Sequence, residues 1–187
     1  MIPYPTSLSN GIITLRPVRL DDAPTITLAV QESIQEIMPW MGWCHPNFSE
    51  EEANAWISTL PAAWRAGSQY AFAIVDTQDG TFLGGAGLNH INSAYRLANL
   101  GYWVRKSATG RGIATQATML AARFGVEKLN LLRAEIVVAV DNDASLRVAE
   151  KCGAIREGVL RNRLIVHGKI FNAVMHALTP QDFEIKL

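Results

Sequence analysis

Gly110 and Gly112 flank Arg111 in the stretch YWVRKSATGRGIAT, residues 102–115. An aromatic and β-branched run, 100–104, precedes them, and an apolar-periodic run that reads as a helix follows. A helix start leaves backbone N–H groups unpaired, with the positive end of the macrodipole behind them. Glycine removes the Cβ that would hold a ligand away from that backbone. Arg105 and Arg111 add positive charge. Together these residues make a site for a phosphate or pyrophosphate, with the N–H groups of 111–115 as donors. No Gly-Lys-Ser/Thr follows, so this is not a P-loop. A dinucleotide fingerprint is also excluded, because a third glycine and a partner acid are missing at its spacing. The plain alternative is a glycine-rich connection with a solvated arginine.

The second group is Asn142 and Ser145 in DNDASLRVAEKCGA. It follows RAEIVVAV, residues 133–140, a strong buried-strand signal. Taken singly, Asn142 reads as a helix cap and Ser145 as a first-turn hydroxyl.

The elements that must position these groups are legible in order. Residues 1–10 read as a loosely held arm. Residues 11–18 alternate as a strand with Pro17 at its end. Asp21 is expected to cap a helix over 22–34. Residues 36–45 (EIMPWMGWCH) form an irregular aromatic segment. Ser49 and Glu52 make a capping box for the next helix, which Pro61 is expected to kink or divide. Strands follow at 70–75, 81–91 and 96–104, the first two joined by an Asp79-Gly80 turn. Gly84, Gly85 and Gly87 within the second suggest a bulge or close backbone approach. After the helix at Ile113, the strand at 133–140 and a helix ended by Gly153 come two strands, 154–165 and 170–178, with a turn at His167-Gly168. One sheet with helices on both faces would bury this mixed α/β order.

The chain has 187 residues and no net charge. That suits one domain, 1–187 with its core at about 11–178, and gives no charge excess to draw nucleic acid or membrane. Cys44 and Cys152 lack metal-ligand spacing, so no metal is expected. The N-terminus has no signal-peptide pattern and no apolar run is long enough to span a bilayer, so the expectation is a soluble cytoplasmic protein.

The order of elements, the glycine loop and the NDAS segment resemble the GNAT acetyltransferase superfamily, and within it the branch of the ribosomal-protein N-terminal acetyltransferases RimJ and RimL. The family's loop pattern is Gln or Arg, two residues, Gly, one residue, then Gly or Ala. It falls here on Thr109-Gly110-Arg111-Gly112-Ile113-Ala114, with Thr109 in place of the long polar side chain. Gly101-Tyr102-Trp103 and the Asn142, Ser145, Lys151-Cys152-Gly153 series also match. Ala154 stands where the family has an aromatic.

The resemblance implies a central, mostly antiparallel, twisted sheet with helices on both faces, acetyl-CoA as donor and an amine as acceptor. Thr109, Gly110, Arg111, Gly112, Ile113, Ala114 and Thr115 would cradle the pyrophosphate. The strand edge at Trp103 and Val104 would pair with the pantetheine amides, with a Val104 N–H facing the thioester oxygen. Asn142 and Lys151 would assist in binding, and Ser145 would protonate the departing thiolate. Relatives carry Glu before Gly-Tyr-Trp where this chain has Ala98-Asn99-Leu100. The base is therefore His90 or a water held by Asn99 and Glu157. A weak base suits an α-amino group, with a pKa of about 7.7–8.0, better than a lysine at about 10.4. Trp40, Trp43 and His45 would line the acceptor groove or serve as core. A small-molecule amine is the alternative acceptor, a non-catalytic acyl-CoA-binding module the alternative activity. Exposed edge strands leave room for a homodimer.

Overall fold

The run YAFAIV, residues 70–75, is apolar at every position because both faces of its strand are covered. Tyr70, Phe72 and Ile74 enter one core, and Ala73 and Val75 the other, as the two-residue period of a strand requires. In the computed structural model, which describes residues 3–185, this strand belongs to an eight-stranded sheet. The elements are β1 (Leu8–Ser9), β2 (Ile13–Pro17), α1 (Ala23–Glu32), α2 (Ile34–Ile37), α3 (Glu50–Ala66), β3 (Tyr70–Asp76), β4 (Phe82–Asn92), β5 (Leu97–Val104), α4 (Ile113–Leu129), β6 (Arg133–Ala139), α5 (Asp143–Lys151), β7 (Ile155–Val166) and β8 (Lys169–Leu178). The sheet order is β1-β2-β3-β4-β5-β6-β8-β7. Every pairing is antiparallel except β5 with β6.

On one face, α1 and α3 bury Ile26, Val30, Ile57 and Leu60 against Ala73, Val75 and Phe82. On the other, α4 and α5 bury Ala117, Ala121, Phe124 and Ala149 against Leu88, Leu100, Ile136 and Val138.

Most expected elements are present; four local readings change. The N-terminal arm is partly tied down, since Leu8 and Ser9 pair with Leu15 and Thr14. The expectation for Met1 and Ile2 lies outside the described residues. The cap position expected at Asp21 falls to Asp22, which makes no side-chain cap bond to the helix; its carboxylate instead accepts from the Arg19 N–H at 2.7 Å and from the Arg16 guanidinium at 2.6 and 2.7 Å. The first helix stops at Glu32 rather than at 34, because the Ser33 hydroxyl donates to the Ala29 carbonyl at 2.7 Å and competes with the helical ladder. Pro61 does not divide α3, because burial of Ile57, Leu60 and Trp64 on either side outweighs the lost backbone bond. The Ser49–Glu52 capping box forms as read, at 3.2 and 3.0 Å.

The feature that shapes the site is where β5 leaves β6. They pair only through Leu97, Ala98 and Asn99, opposite Arg133, Ala134 and Glu135. From Leu100 onward, β5 continues beside β4 alone.

Candidate functional site

The gap that opens beyond Asn99 has one flank made of β5 backbone. The Arg96 carbonyl accepts from Leu132 on the β6 side, and the Arg105 N–H donates to Leu83 on the β4 side. Strand alternation therefore turns the peptide groups of Leu100, Tyr102 and Val104 into the gap. Trp103, expected with Val104 to form the binding edge, does not do so. Its backbone faces Gly85 of β4, because it is one residue out of phase. Its indole lies over Gly85, where a Cβ would come within 2.8 Å of the ring nitrogen.

At the open end of the gap stands the glycine loop. Each N–H from Arg105 to Thr109 has an acceptor: Leu83 O, Ser33 Oγ, Glu32 Oε1, Arg105 O and Lys106 O. The next six, from Gly110 to Thr115, have none among the described residues, and the ladder of α4 begins with Gln116 N–H to Gly112 O at 3.1 Å. Gly110 and Gly112 have φ of +74° and +75°, and among the described residues nothing beyond its chain neighbours lies within 4 Å of where a Cβ on Gly110 would stand. Consecutive N–H groups, left-handed glycines and a helix start form an anion cradle that a Cβ would strain. It fits a pyrophosphate. Thr109 has its hydroxyl committed to Lys106 O at 2.8 Å, so this residue shapes the turn.

Arg105, read as part of the anion charge, is not available for it. Its guanidinium is bound to Glu32 and to the Phe82 carbonyl. Arg111 remains beside the cradle, half-exposed, with Asp76 at 3.8 Å.

Across the gap, α5 starts at Asn142, whose Oδ1 accepts the Ser145 N–H at 3.1 Å. Asn142 is thus a cap in fact. The Ser145 hydroxyl lies 2.9 Å from the Tyr102 hydroxyl, which also donates to the Ser145 carbonyl at 3.2 Å. Burial pushes the Tyr102 phenol above its ordinary pKa, so it stays protonated and acts as a donor. The Cys152 thiol, pushed up to about 11 by burial, ties the end of α5 to the Thr115 carbonyl at 3.5 Å. Lys151 is exposed in the last turn of α5, about 13 Å along the axis from Asn142 at 1.5 Å per residue.

The opposite face of the gap is roofed by the loop after α2. Trp43 packs on Trp103 at 5.9 Å, while Trp40 packs on Phe171 of β8 at 6.0 Å. One indole thus rests on β5 and the other on β8, the strand beyond β6. His45 is outside the roof's contact with the sheet and is bound to Glu52 at 2.9 Å.

The base candidates separate. His90 is exposed, in a bulge with φ of +48°. It follows Asn89, the partner of Asn99, and stands four residues along β4 from Ala86, the partner of Tyr102, or roughly 13 Å at 3.3 Å per residue. The Glu157 carboxylate is gripped by both Arg133 nitrogens and held below the usual carboxylate range, which weakens it as a base. Asn99 sits at the closed end of the gap, its Nδ2 donating to Asn89 Oδ1 at 2.9 Å. Its own oxygen is left as an acceptor.

Two residues of the site carry no sign of their role in the sequence. Tyr102 is legible there as a strand aromatic within the matching Gly-Tyr-Trp, with nothing to pair it with Ser145. Glu32, 73 residues from Arg105, has no local signal.

The profile of the acetyltransferase (GNAT) domain matches residues 13–155. YdaF of Bacillus subtilis (strain 168), provisionally named a ribosomal N-acetyltransferase, is 28% identical over 179 residues, 94% of this chain and 95% of its own. Mycobacterium smegmatis RimJ, solved in complex with CoA-disulfide, superposes with a TM-score of 0.84 at 28% identity, covering 96% of this chain and 90% of that one. Spermidine N(1)-acetyltransferase of Escherichia coli (strain K12) is 30% identical over 96 residues, 51% of this chain and 52% of its own.

Proposed function

The chain belongs to the GNAT family of acetyl-CoA-dependent N-acetyltransferases, and from that premise we propose that its acceptor is the N-terminal amine of a protein or peptide. The similarity to a ribosomal N-acetyltransferase and to RimJ over nearly the whole chain supports this reading. The single observation that carries it is the charge around the acceptor side. Glu32, Glu36, Glu52, Glu135 and Glu157 are all paired within the protein, with Arg105, Lys106, His45 and Arg133. Arg161, Arg163 and Lys169 on the β7–β8 hairpin are exposed, and among the described residues none is in an ion pair. A polyamine would compete with those internal pairs and approach a hairpin whose cations, among the described residues, face no carboxylate partner. A peptide brings a single ammonium and can bring acidic side chains.

Acetyl-CoA supplies an activated acyl group, and the residues of this chain position it. The N–H groups of 110–115 take the pyrophosphate. Val104, nearest the cradle, offers its peptide groups to the pantetheine arm. The N–H of Tyr102, closer to the closed end, is the better placed of the two for the thioester oxygen. Trp40 and Trp43 exclude water from the opposite side. The Asn99 oxygen accepts a hydrogen bond from the amine, which near pH 7.5 is already substantially neutral at a pKa of about 7.7–8.0. The amine nitrogen bonds the acetyl carbon as the C–S bond breaks; the proton lost from nitrogen passes to water, and the departing thiolate takes up another. Ser145, with the Tyr102 hydroxyl behind it, delivers the second.

The sheet running from Leu8 to Leu178 supports reading the chain as one catalytic domain. Exposed Ile155, Val159 and Ile165 along β7 support a homodimer, which sedimentation at micromolar concentration tests. An acceptor panel tests the main reading: one peptide with a free N-terminus, the same peptide blocked but bearing a lysine, and spermidine, followed by thiol release and product mass. The free N-terminus should react fastest. Faster turnover of spermidine overturns the assignment.

A further inference from the structure

We propose that Glu32 is a positioning residue that fixes the shape of the anion loop and joins it to the aromatic roof. It is the last residue of α1, on the acceptor-side layer, yet its bonds go to the other flank of the gap. One carboxylate oxygen takes the Arg105 guanidinium through Nε at 3.1 Å and through Nη2, and the other takes the Ser107 N–H at 2.7 Å. Fully buried Ser33 follows. Its hydroxyl accepts the Lys106 N–H at 2.9 Å and donates to Ala29 at 2.7 Å. Glu36 then pairs with the Lys106 ammonium at 2.8 Å. Residues 105, 106 and 107 are therefore each held from one short segment of another layer.

These bonds decide how the anion is received. With Arg105 neutralised and turned away, the loop offers backbone N–H groups in a fixed curve instead of a mobile guanidinium. Charge-assisted bonds to a carboxylate are roughly twice as strong as neutral ones, and the planar Arg fork adds direction. Arg105 and Ser107 hold the Glu32 carboxyl down to about 2, so the clamp stays ionised throughout any working pH. The same segment runs on through Ile37, whose carbonyl accepts the Trp40 and Met41 N–H groups at 3.0 and 2.9 Å. One anchor thus sets the cradle and the base of the roof.

The test is Glu32→Gln in the full chain. The amide keeps the shape but turns a donor toward either the Arg105 guanidinium or the Ser107 N–H. Calorimetry with CoA alone should show binding weakened about tenfold. At saturating acetyl-CoA, the KM for the acceptor should rise several-fold while kcat stays within about threefold. A purely structural role would lower the melting temperature and leave the CoA affinity of the folded protein and both KM values unchanged. That result overturns the proposal. If Glu32→Gln does not fold, Arg105→Lys decides. Lysine keeps the charge but loses the fork, and should weaken CoA binding in the same direction by about threefold. Wild-type affinity in Arg105→Lys refutes the clamp. Calorimetry with CoA involves no acceptor, so a wrong acceptor assignment would leave its result unchanged.

Discussion

On the anion-loop flank of the gap, five consecutive N–H groups, Arg105 to Thr109, are fastened before six are left open. On the acceptor flank, Trp40 and Trp43 are held by ring contacts 5.9–6.0 Å between centroids, and the hairpin opposite carries cations outside any ion pair among the described residues. The first flank is specified by directional bonds, the second by packing and long-range charge. Hydrogen bonds to backbone fix a shape to a few tenths of an ångström and suit an invariant group such as a pyrophosphate. Ring contacts tolerate rearrangement and suit an acceptor of variable sequence. Changes on the first flank should therefore act sharply and on one substrate, and changes on the second should act weakly and on the other.

The largest expected effect is at Ser145, where the flanks meet. Ser145→Ala should cut kcat by about 10²–10⁴-fold with little change in KM for acetyl-CoA, if proton delivery limits the rate. Calorimetry must first show that the variant binds CoA. A loss below about tenfold would transfer the role to water.

Gly112→Asp sharpens the contrast on the cradle side. It forces a side chain into a left-handed position and sets a negative charge where an anion belongs. CoA binding should weaken roughly 100-fold, about 2.7 kcal/mol, with no separate effect on the acceptor. Equal affinity in a folded variant would break the assignment of the loop.

Lys169→Glu and Arg163→Glu probe the other side. Each should raise the KM of an acidic peptide by roughly threefold to fivefold, within the range of exposed charge pairs. The effect should shrink at high salt, and CoA affinity should be unmoved. A shift in CoA affinity would mean that the flanks are not separable.

Asn142→Ala should cost about 1 kcal/mol as a lost cap. If the melt falls while the CoA-induced shift stays whole, Asn142 is a cap alone.

A pH series gives the gentlest contrast. The folded pKa of Glu32 lies below its unfolded value of about 4.5, so its contribution is fully present above pH 5 and fades as pH falls toward 2. Between pH 6.5 and 9 the acetyl-CoA KM should be flat, while the acceptor KM follows ionisation of the amine.

The sheet, its helices and the cradle are legible in the sequence because their signals are local. Gly110 and Gly112 lie two residues apart, Ser49 and Glu52 three, and YAFAIV carries its burial on its face. What is not legible depends on register or on distance along the chain. Trp103 and Tyr102 differ by one position in the strand, and only the pairing with β4 decides which peptide group enters the gap. Glu32 reaches Arg105 across 73 residues, and Tyr102 reaches Ser145 across 43. No spacing rule connects such pairs. Glu157 reads as a proton acceptor until Arg133, 24 residues away, claims it.

The three-residue ladder between β5 and β6 has a practical consequence. A strand in the middle of a wide sheet there carries one bare flank from Leu100 to Val104, an internal edge of the kind that recruits strands from other molecules. A pantetheine arm lying along that flank, as proposed, would act as the missing strand. Without it, concentrated protein should aggregate sooner on storage, and adding CoA during purification should suppress aggregation at doses that track binding.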